Sequence, residues 1–228
     1  MQKNVYKTNP TLRIIGTLYI TASAASIAGM AILQSVTGNA DYLAHLLPNR
    51  STLVSSILLL LLNDAAVIAV GILFYGLIKT RSYISAAAIL ITRLVEGITL
   101  IVGKIGLLLL ITIGQEYAKT GKANVVYFPV LGNLAQNWYR SAFELAMLGL
   151  GIGGFILNYF LFTNRLVPRL IALLGVIGYV LLFAKSIADM LGFDTPFSLF
   201  LPVALFELVF PLWIIIKGFK TNEGTLIP

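Results

Sequence analysis

Residues 84–113 read ISAAAILITRLVEGITLIVGKIGLLLLITI, an apolar run that only a buried or membrane-spanning helix accommodates. Arg93 and Glu96 stand three residues apart within this run, so on a helix they share one face. Lys104 falls within the same arc of that face, at about 100° per residue. Because charge inside an apolar span is unfavourable, each of these groups needs a partner within the protein.

This helix is marginal as an isolated span. The large aliphatic residues between Ile84 and Val102 favour insertion by about 3–6 kcal/mol, whereas Arg93 and Glu96 oppose it by about 5–7 kcal/mol. The stretch therefore predicts neighbouring helices that bring partners to its charges.

The composition of the whole chain predicts the same class of protein. Of its 228 residues, 58% are hydrophobic and 11% are charged, whereas soluble domains are about one-quarter charged. The mean hydropathy of +0.92 leaves no room for a sizeable soluble domain, so we expect one integral membrane domain over residues 1–228. The sequence contains no cysteine, which excludes disulfides, thiolate metal ligands and a cysteine nucleophile.

Five further apolar runs accompany the first, and the sequence therefore predicts an all-α protein with six transmembrane helices. The expected spans are about 12–36, 52–78, 83–113, 134–162, 170–191 and 197–216. The first apolar run is too long for the core of a signal peptide, so we expect a retained helix. The third span is about 46 Å long and must tilt or project beyond the membrane. The longer loops are expected at residues 37–51 and 115–134.

The basic residues predict the orientation of these spans. With the amino terminus in the cytoplasm, nine lysines and arginines lie on the cytoplasmic side and three on the outer side, which satisfies the positive-inside rule. The nine are Lys3, Lys7, Arg13, Lys79, Arg81, Arg165, Arg169, Lys217 and Lys220; the three are Arg50, Lys119 and Lys122. We expect both termini in the cytoplasm and the protein in the cytoplasmic membrane. Without a clustered basic face, the net charge of +7 does not indicate nucleic-acid binding.

Charged residues also interrupt the other spans. Position along the helices places some near the midplane and the rest in the outer half. The midplane group is Asp64, Arg93, Glu96 and Glu207; the outer group is Arg140, Glu144, Lys185 and Asp189, with Lys104 above them. Five acids and four bases form a nearly neutral set, which is typical of mutual pairing. We expect Arg93 to contact a carboxylate from another span, either Glu207 or Asp64.

Other candidate features are weaker. His45 is the single histidine and lies in an expected loop, so no zinc site and no other metal or cofactor is expected. Gly149 and Gly153 form a small-residue pattern typical of helix packing. Pro211 should loosen the last span beside Glu207. We find no catalytic motif and favour a protein that is not an enzyme.

Several motifs resemble a known family. They are Arg93-Leu-Val-Glu96-Gly97, Gln115-Glu116-Tyr117, Asn158-Tyr159, Arg165-Leu-Val-Pro168-Arg169, Leu201-Pro202, Phe206-Glu207 and Leu212-Trp213. Together they are similar to the bacterial six-span membrane proteins grouped as the domain of unknown function 4386, over nearly the whole chain. Asn164 stands where a serine is expected. The resemblance implies the topology and no activity, and it adds Asn158 to the candidate site while supporting Arg93, Glu96 and Glu207.

Three functions remain open at this point. The first is a non-catalytic membrane protein, such as a sensor, whose buried polar site binds a small molecule or lipid from the outer side. The second is a small transporter or intramembrane enzyme that uses Glu96, Glu207 or Asp64 as proton carrier or general base. The third is an interaction partner in which the charges only stabilise the bundle. A cavity reaching Glu96 favours the first two, and a dry, fully paired interior favours the third.

Overall fold

The computed structural model of the chain describes residues 5–39, 41–120 and 127–221. Two short strands flank seven helices. In chain order the elements are β1 Val5–Lys7, α1 Pro10–Thr37, α2 Tyr42–Leu46, α3 Arg50–Ile78, α4 Tyr83–Thr120, α5 Tyr127–Thr163, α6 Arg169–Met190, a 3₁₀ turn at Phe197–Phe200, α7 Leu201–Ile216 and β2 Phe219–Thr221.

Six of these helices are long and apolar enough to cross a membrane: α1, α3, α4, α5, α6, and α7 together with the preceding turn. Large apolar side chains such as Ile27, Ile72 and Leu205 are exposed on their outer faces. Such an apolar surface is expected where lipid tails, and not water, surround the protein. The prediction of an all-α, six-span membrane protein is confirmed.

The six long helices form a ring in which each packs against its neighbours in the chain, and α7 closes the ring against α1. The short helix α2 covers one end by packing on α4 and α5. Gly149 and Gly153 of α5 face α4, where Thr92 lies against them, so the predicted small-residue packing face is confirmed. The ring leaves an interior between the helices.

The two ends of the chain lie at the same end of this bundle. β1 pairs with β2 in antiparallel register, with Tyr6 opposite Lys220. The hydroxyl of Thr8 donates a hydrogen bond to the carbonyl of Ile214, 3.0 Å away, and the Tyr6 ring packs edge-on against Trp213. We call this the strand end of the bundle, and the opposite end, covered by α2, the cap end.

Helices α4 and α5 extend beyond the apolar runs that predicted them. The segment 115–134, expected as a loop, is helical up to Thr120 and again from Tyr127, and residues 121–126 lie outside the described residues. A helix continues past an apolar run where its polar side chains support one another, as Glu116 and Lys119 do at 2.8 Å. The rings of Tyr117 and Phe128, 5.5 Å apart, join the two extensions.

Candidate functional site

A cavity of about 240 Å³ lies inside the ring, between the middle of the bundle and the cap end. It is lined by α1, α3, α4, α5 and α7 and by the 3₁₀ turn before α7. Most of its wall is apolar. Its charged lining residues are Arg93, Glu96, Lys104 and Glu207, so part of the predicted charged set does face an open interior.

Arg93 and Glu96 form one buried unit of the cavity wall. The Nη1 atom of Arg93 lies 3.0 Å from Oε2 of Glu96, and the two side chains are 5% and 3% exposed. The Nη2 atom of Arg93 donates to the hydroxyl of Tyr19 on α1 at 2.8 Å. Gly71 of α3 lets this helix approach closely, because a Cβ there would lie 2.7 Å from the Cβ of Arg93. The unit therefore connects α4 to α1 and α3.

Lys104 and Asp64 form a second unit, which joins α4 to α3. The ammonium nitrogen of Lys104 lies 2.9 Å from Oδ1 and 2.8 Å from Oδ2 of Asp64. The amide of the adjacent Asn63 donates to Oδ1 at 3.2 Å. Both side chains of the ion pair are almost completely buried, at 3% and 0% exposed. Each charge of this unit is therefore compensated within the protein.

Glu207 of α7 is the third acidic group of the interior. Its Oε1 accepts a hydrogen bond from the hydroxyl of Tyr179 at 3.0 Å. Among the described residues, no lysine or arginine nitrogen lies within 4.0 Å of its carboxylate. The side chain is half-buried and lines the cavity. In the part of the chain that the structure describes, the interior thus contains one carboxylate more than it contains basic partners.

The expectation that Arg93 pairs with Glu207 or Asp64 from another span is wrong. Its carboxylate partner is Glu96, three residues along the same helix. The reason is local, because this spacing places both side chains on one face of α4. Asp64 is already held by Lys104. What another span supplies to Arg93 is the hydroxyl of Tyr19.

Four of the predicted site residues lie elsewhere, at the contact of α5 and α6 toward the cap end. We call this group, Arg140, Glu144, Lys185 and Asp189, the α5–α6 seam. Lys185 forms an ion pair with Asp189, which also accepts a hydrogen bond from Thr195. Glu144 lies close to both charges of this pair, while Arg140 is exposed. None of the four lines the cavity, so the predicted set divides into separate groups.

Asn158 belongs to neither group. It is completely buried between α5 and α6, where it lies against Gly175. Its Nδ2 donates to the carbonyl of Gly154 at 2.9 Å, and its Oδ1 has no partner among the described residues. The side chain does not line the cavity. The amide therefore fills the contact between α5 and α6, while its hydrogen bond stays within α5.

The structure also shows residues that the sequence prediction omitted. Lys104 was recognised as a buried charge but left out of the candidate set, although it neutralises Asp64. Tyr19 and Tyr179 were missed entirely. Tyrosines of membrane proteins usually lie near the interface, whereas these two lie well inside their helices and are 4% and 0% exposed. A mid-span tyrosine was therefore the available signal for a polar contact in the interior.

A metal site is not indicated in the parts of the chain that the structure describes, since no three His, Cys, Asp or Glu side chains cluster there. His45 is exposed on α2. The polar groups described in and around the cavity include two ion pairs, the Glu207 carboxylate and the hydroxyls of Tyr19, Tyr139 and Tyr179, an arrangement that can bind a polar group by charge and hydrogen bonds.

Comparison with known proteins supports the resemblance drawn from the motifs. The family model described as domain of unknown function (DUF4386) matches residues 14–218. This match extends from α1 past the end of α7 and includes every charged residue of the cavity. No curated protein and no solved structure matches the chain.

Proposed function

This chain belongs to the DUF4386 family, and we propose that it is a binding protein whose intramembrane cavity accepts a small amphipathic molecule from the bilayer. The observation that carries the proposal is that Ile27 of α1 and Leu208 of α7 both line the cavity and are largely exposed. We infer from it that the cavity opens sideways between α1 and α7, the two helices that close the ring.

These two helices touch in the half nearer the strand end. Gly16 of α1 packs directly on Ile215 and on the backbone of Pro211, and the Tyr19 ring lies 5.9 Å from that of Phe210. Farther toward the cap end, small residues face the cavity from both helices. They are Ala22, Ser23 and Ser26 on α1, and Ala204 on α7. The helices therefore part above Tyr19 and leave an opening.

The opening faces lipid. Ile27 and Leu208 both line the cavity and are 71% and 57% exposed, one on each side of it. Ile27 lies ten residues, or about 15 Å, before the end of α1, well within a hydrocarbon core of about 30 Å. A molecule that passes between these side chains comes from the bilayer, so it must itself be soluble in lipid.

The chemistry of the cavity selects an amphipathic molecule. Its wall is mostly apolar, and its charged groups lie at the inner side, on α4 and α7. At about 240 Å³ the cavity is smaller than the roughly 300–1,000 Å³ of pockets that enclose a drug-sized ligand. It therefore suits a polar head with the first part of a chain, while the rest of the chain stays in the bilayer.

We further propose that the protein lies in the cytoplasmic membrane of a bacterium with both termini in the cytoplasm. The basic residues described at the strand end support this orientation under the positive-inside rule. They are Lys7, Arg13, Lys79, Arg81, Arg165, Arg169, Lys217 and Lys220, against Arg50 and Lys119 toward the cap end. In this orientation the opening lies in the outer half of the membrane.

One alternative is supported by a specific observation. Glu207 has no basic partner within 4.0 Å among the described residues, so it has the freedom that a proton carrier in a transporter needs. A transporter also needs a path to each side of the membrane. The opening described above leads to lipid, and we therefore favour binding. A purely stabilising network accounts for the two ion pairs but not for the cavity or for Glu207.

A photolabelling experiment tests the proposal. The probe is a twelve-carbon alcohol with a diazirine in its chain, added to the protein in lipid nanodiscs, and labelled peptides are identified by mass spectrometry. We expect the probe to label α1 and α7 at the opening. Unlabelled dodecanol should suppress this labelling in a saturable manner. Ala204→Phe, which fills the opening, should abolish this labelling. Leu205→Phe on the exposed face of the same helix is the matched control and should retain it.

A second variant, Ser23→Phe, fills the opening from α1. It keeps the test valid if Ala204→Phe does not fold. Each variant is compared with the wild type by circular dichroism and gel filtration. The proposal fails if labelling is not saturable, or if it persists in correctly folded variants with the opening filled.

A further inference from the structure

We propose that the molecule bound in this cavity is a single-chain amphiphile with a primary amine as its head, and that its ammonium group pairs with Glu207. This inference rests on the proposed function and adds to it the chemical class of the ligand. It follows from the charges of the interior, from the free side of the Glu207 carboxylate and from the volume of the cavity.

The described interior contains one more acidic than basic side chain. The acids are Asp64, Glu96 and Glu207, and the bases are Arg93 and Lys104. The two bases are each paired with an acid. An unpaired carboxylate in the middle of a membrane is unfavourable. A cationic ligand would neutralise the interior, whereas an anionic one would add a second uncompensated charge.

The basic groups are also poorly available to an anionic head. Arg93 is occupied by Glu96 and by the hydroxyl of Tyr19, and Lys104 lies within 3 Å of both oxygens of Asp64. An anion would compete with these carboxylates for the remaining N–H groups and would add to the surplus negative charge. Glu207 requires no such exchange, because its Oε2 accepts no hydrogen bond from the described residues. Glu207 lines the cavity and its side chain is only half-buried, which leaves this oxygen available to a ligand.

A primary ammonium fits this position better than a larger cation. It supplies three N–H donors from a single small atom, and Tyr179 already holds the other oxygen, Oε1, of Glu207 in place. The cavity has room for roughly eight water molecules at about 30 Å³ each. This space suits an amine and a few methylene groups. One alkyl chain then leaves past Ala204 and between Ile27 and Leu208 into the bilayer.

The test uses competition with the same diazirine alcohol in nanodiscs at pH 7, where an alkyl amine is protonated. The competitors are dodecylamine, dodecanol and dodecanoate. In the wild type we expect dodecylamine to suppress labelling about tenfold more effectively than dodecanol, since a hydrogen bond to a charged group adds about that factor. In Glu207→Gln, which keeps an oxygen for Tyr179, this advantage should disappear while competition by dodecanol is unchanged.

The matched control is Glu144→Gln, the same substitution in the α5–α6 seam, which should leave the advantage of the amine intact. Because all variants are compared in the same bilayer, differences in partitioning of the amphiphiles cancel. If dodecylamine has no advantage, or keeps it in Glu207→Gln, the inference about the amine is overturned while binding of the alcohol still supports the cavity. If no amphiphile competes, the proposed function itself fails and the inference falls with it.

Discussion

The interior network and the α5–α6 seam are built from the same kinds of residue, yet their surroundings differ. Each contains an ion pair within one helix, Arg93 with Glu96 in the interior and Lys185 with Asp189 in the seam. The interior pair is 5% and 3% exposed, whereas the seam pair is 19% and 14% exposed. The seam has as many bases as acids, and the interior has one acid more. The interior borders the cavity, and none of the four seam residues lines it.

The difference shows that charge balance has to be counted locally. Over the whole set of buried charges, five acids against four bases suggest a paired, structural network. In the structure, the two bases and two acids of the seam balance each other. The surplus carboxylate of the set, Glu207, lines the cavity. A group that is balanced and partly exposed needs only a structural role, while an unbalanced group beside an open volume is the better candidate for a binding role.

The largest effect expected from this comparison comes from Asp64→Asn. The substitution leaves Lys104 buried with an uncompensated charge, and breaking a buried ion pair in this manner costs about 3–5 kcal/mol. We expect a corresponding loss in the free energy of unfolding, measured by chemical unfolding in detergent micelles of fixed composition. The double variant Asp64→Asn/Lys104→Gln removes both charges and should recover most of the loss. Failure of the double variant to recover it would show that the pair is not an electrostatic unit.

A smaller effect is expected at Gly71, where α3 packs on the interior network. In Gly71→Ala the new Cβ would lie 2.7 Å from that of Arg93, and overpacking of this kind destabilises by about 1–3 kcal/mol. Gly76 on the same helix is the matched control, since a Cβ there meets nothing within 4 Å. Gly76→Ala should leave the unfolding free energy unchanged or raise it slightly. Equal effects of the two substitutions would contradict the close contact at Arg93.

The sequence predicted the helices of this fold because each span is an apolar run long enough to be recognised alone. It also predicted the burial of Asp64, Arg93, Glu96 and Lys104, since position along a helix gives depth, but Arg140 of the same set is exposed. It did not predict how they pair, because pairing depends on how each helix is rotated within the ring. Lys104 meets Asp64 only when α3 and α4 pack side by side.

Two other features could not be predicted from the sequence for related reasons. The strands β1 and β2 contain three residues each, too few to show an alternating pattern, and they exist only because α1 and α7 bring the ends of the chain together. The cavity is likewise a property of the packing. Its small residues Ser23, Ser26 and Ala204 resemble ordinary helix contacts in the sequence, and only the packing of the helices shows that they line a cavity.

The smallest effect is expected from Asp189→Asn in the seam, which repeats the Asp64→Asn substitution at a partly exposed ion pair. Solvated pairs contribute about 0–1 kcal/mol, because water competes for both charges. The substitution leaves Lys185 19% exposed and close to the carboxylate of Glu144, so its charge is not isolated as that of Lys104 would be. We therefore expect a change of about 1 kcal/mol or less in the unfolding free energy and none in labelling by the diazirine alcohol. A loss as large as that of Asp64→Asn would mean that the seam is as closed to solvent as the interior, and the distinction between the two regions would then rest on the cavity alone.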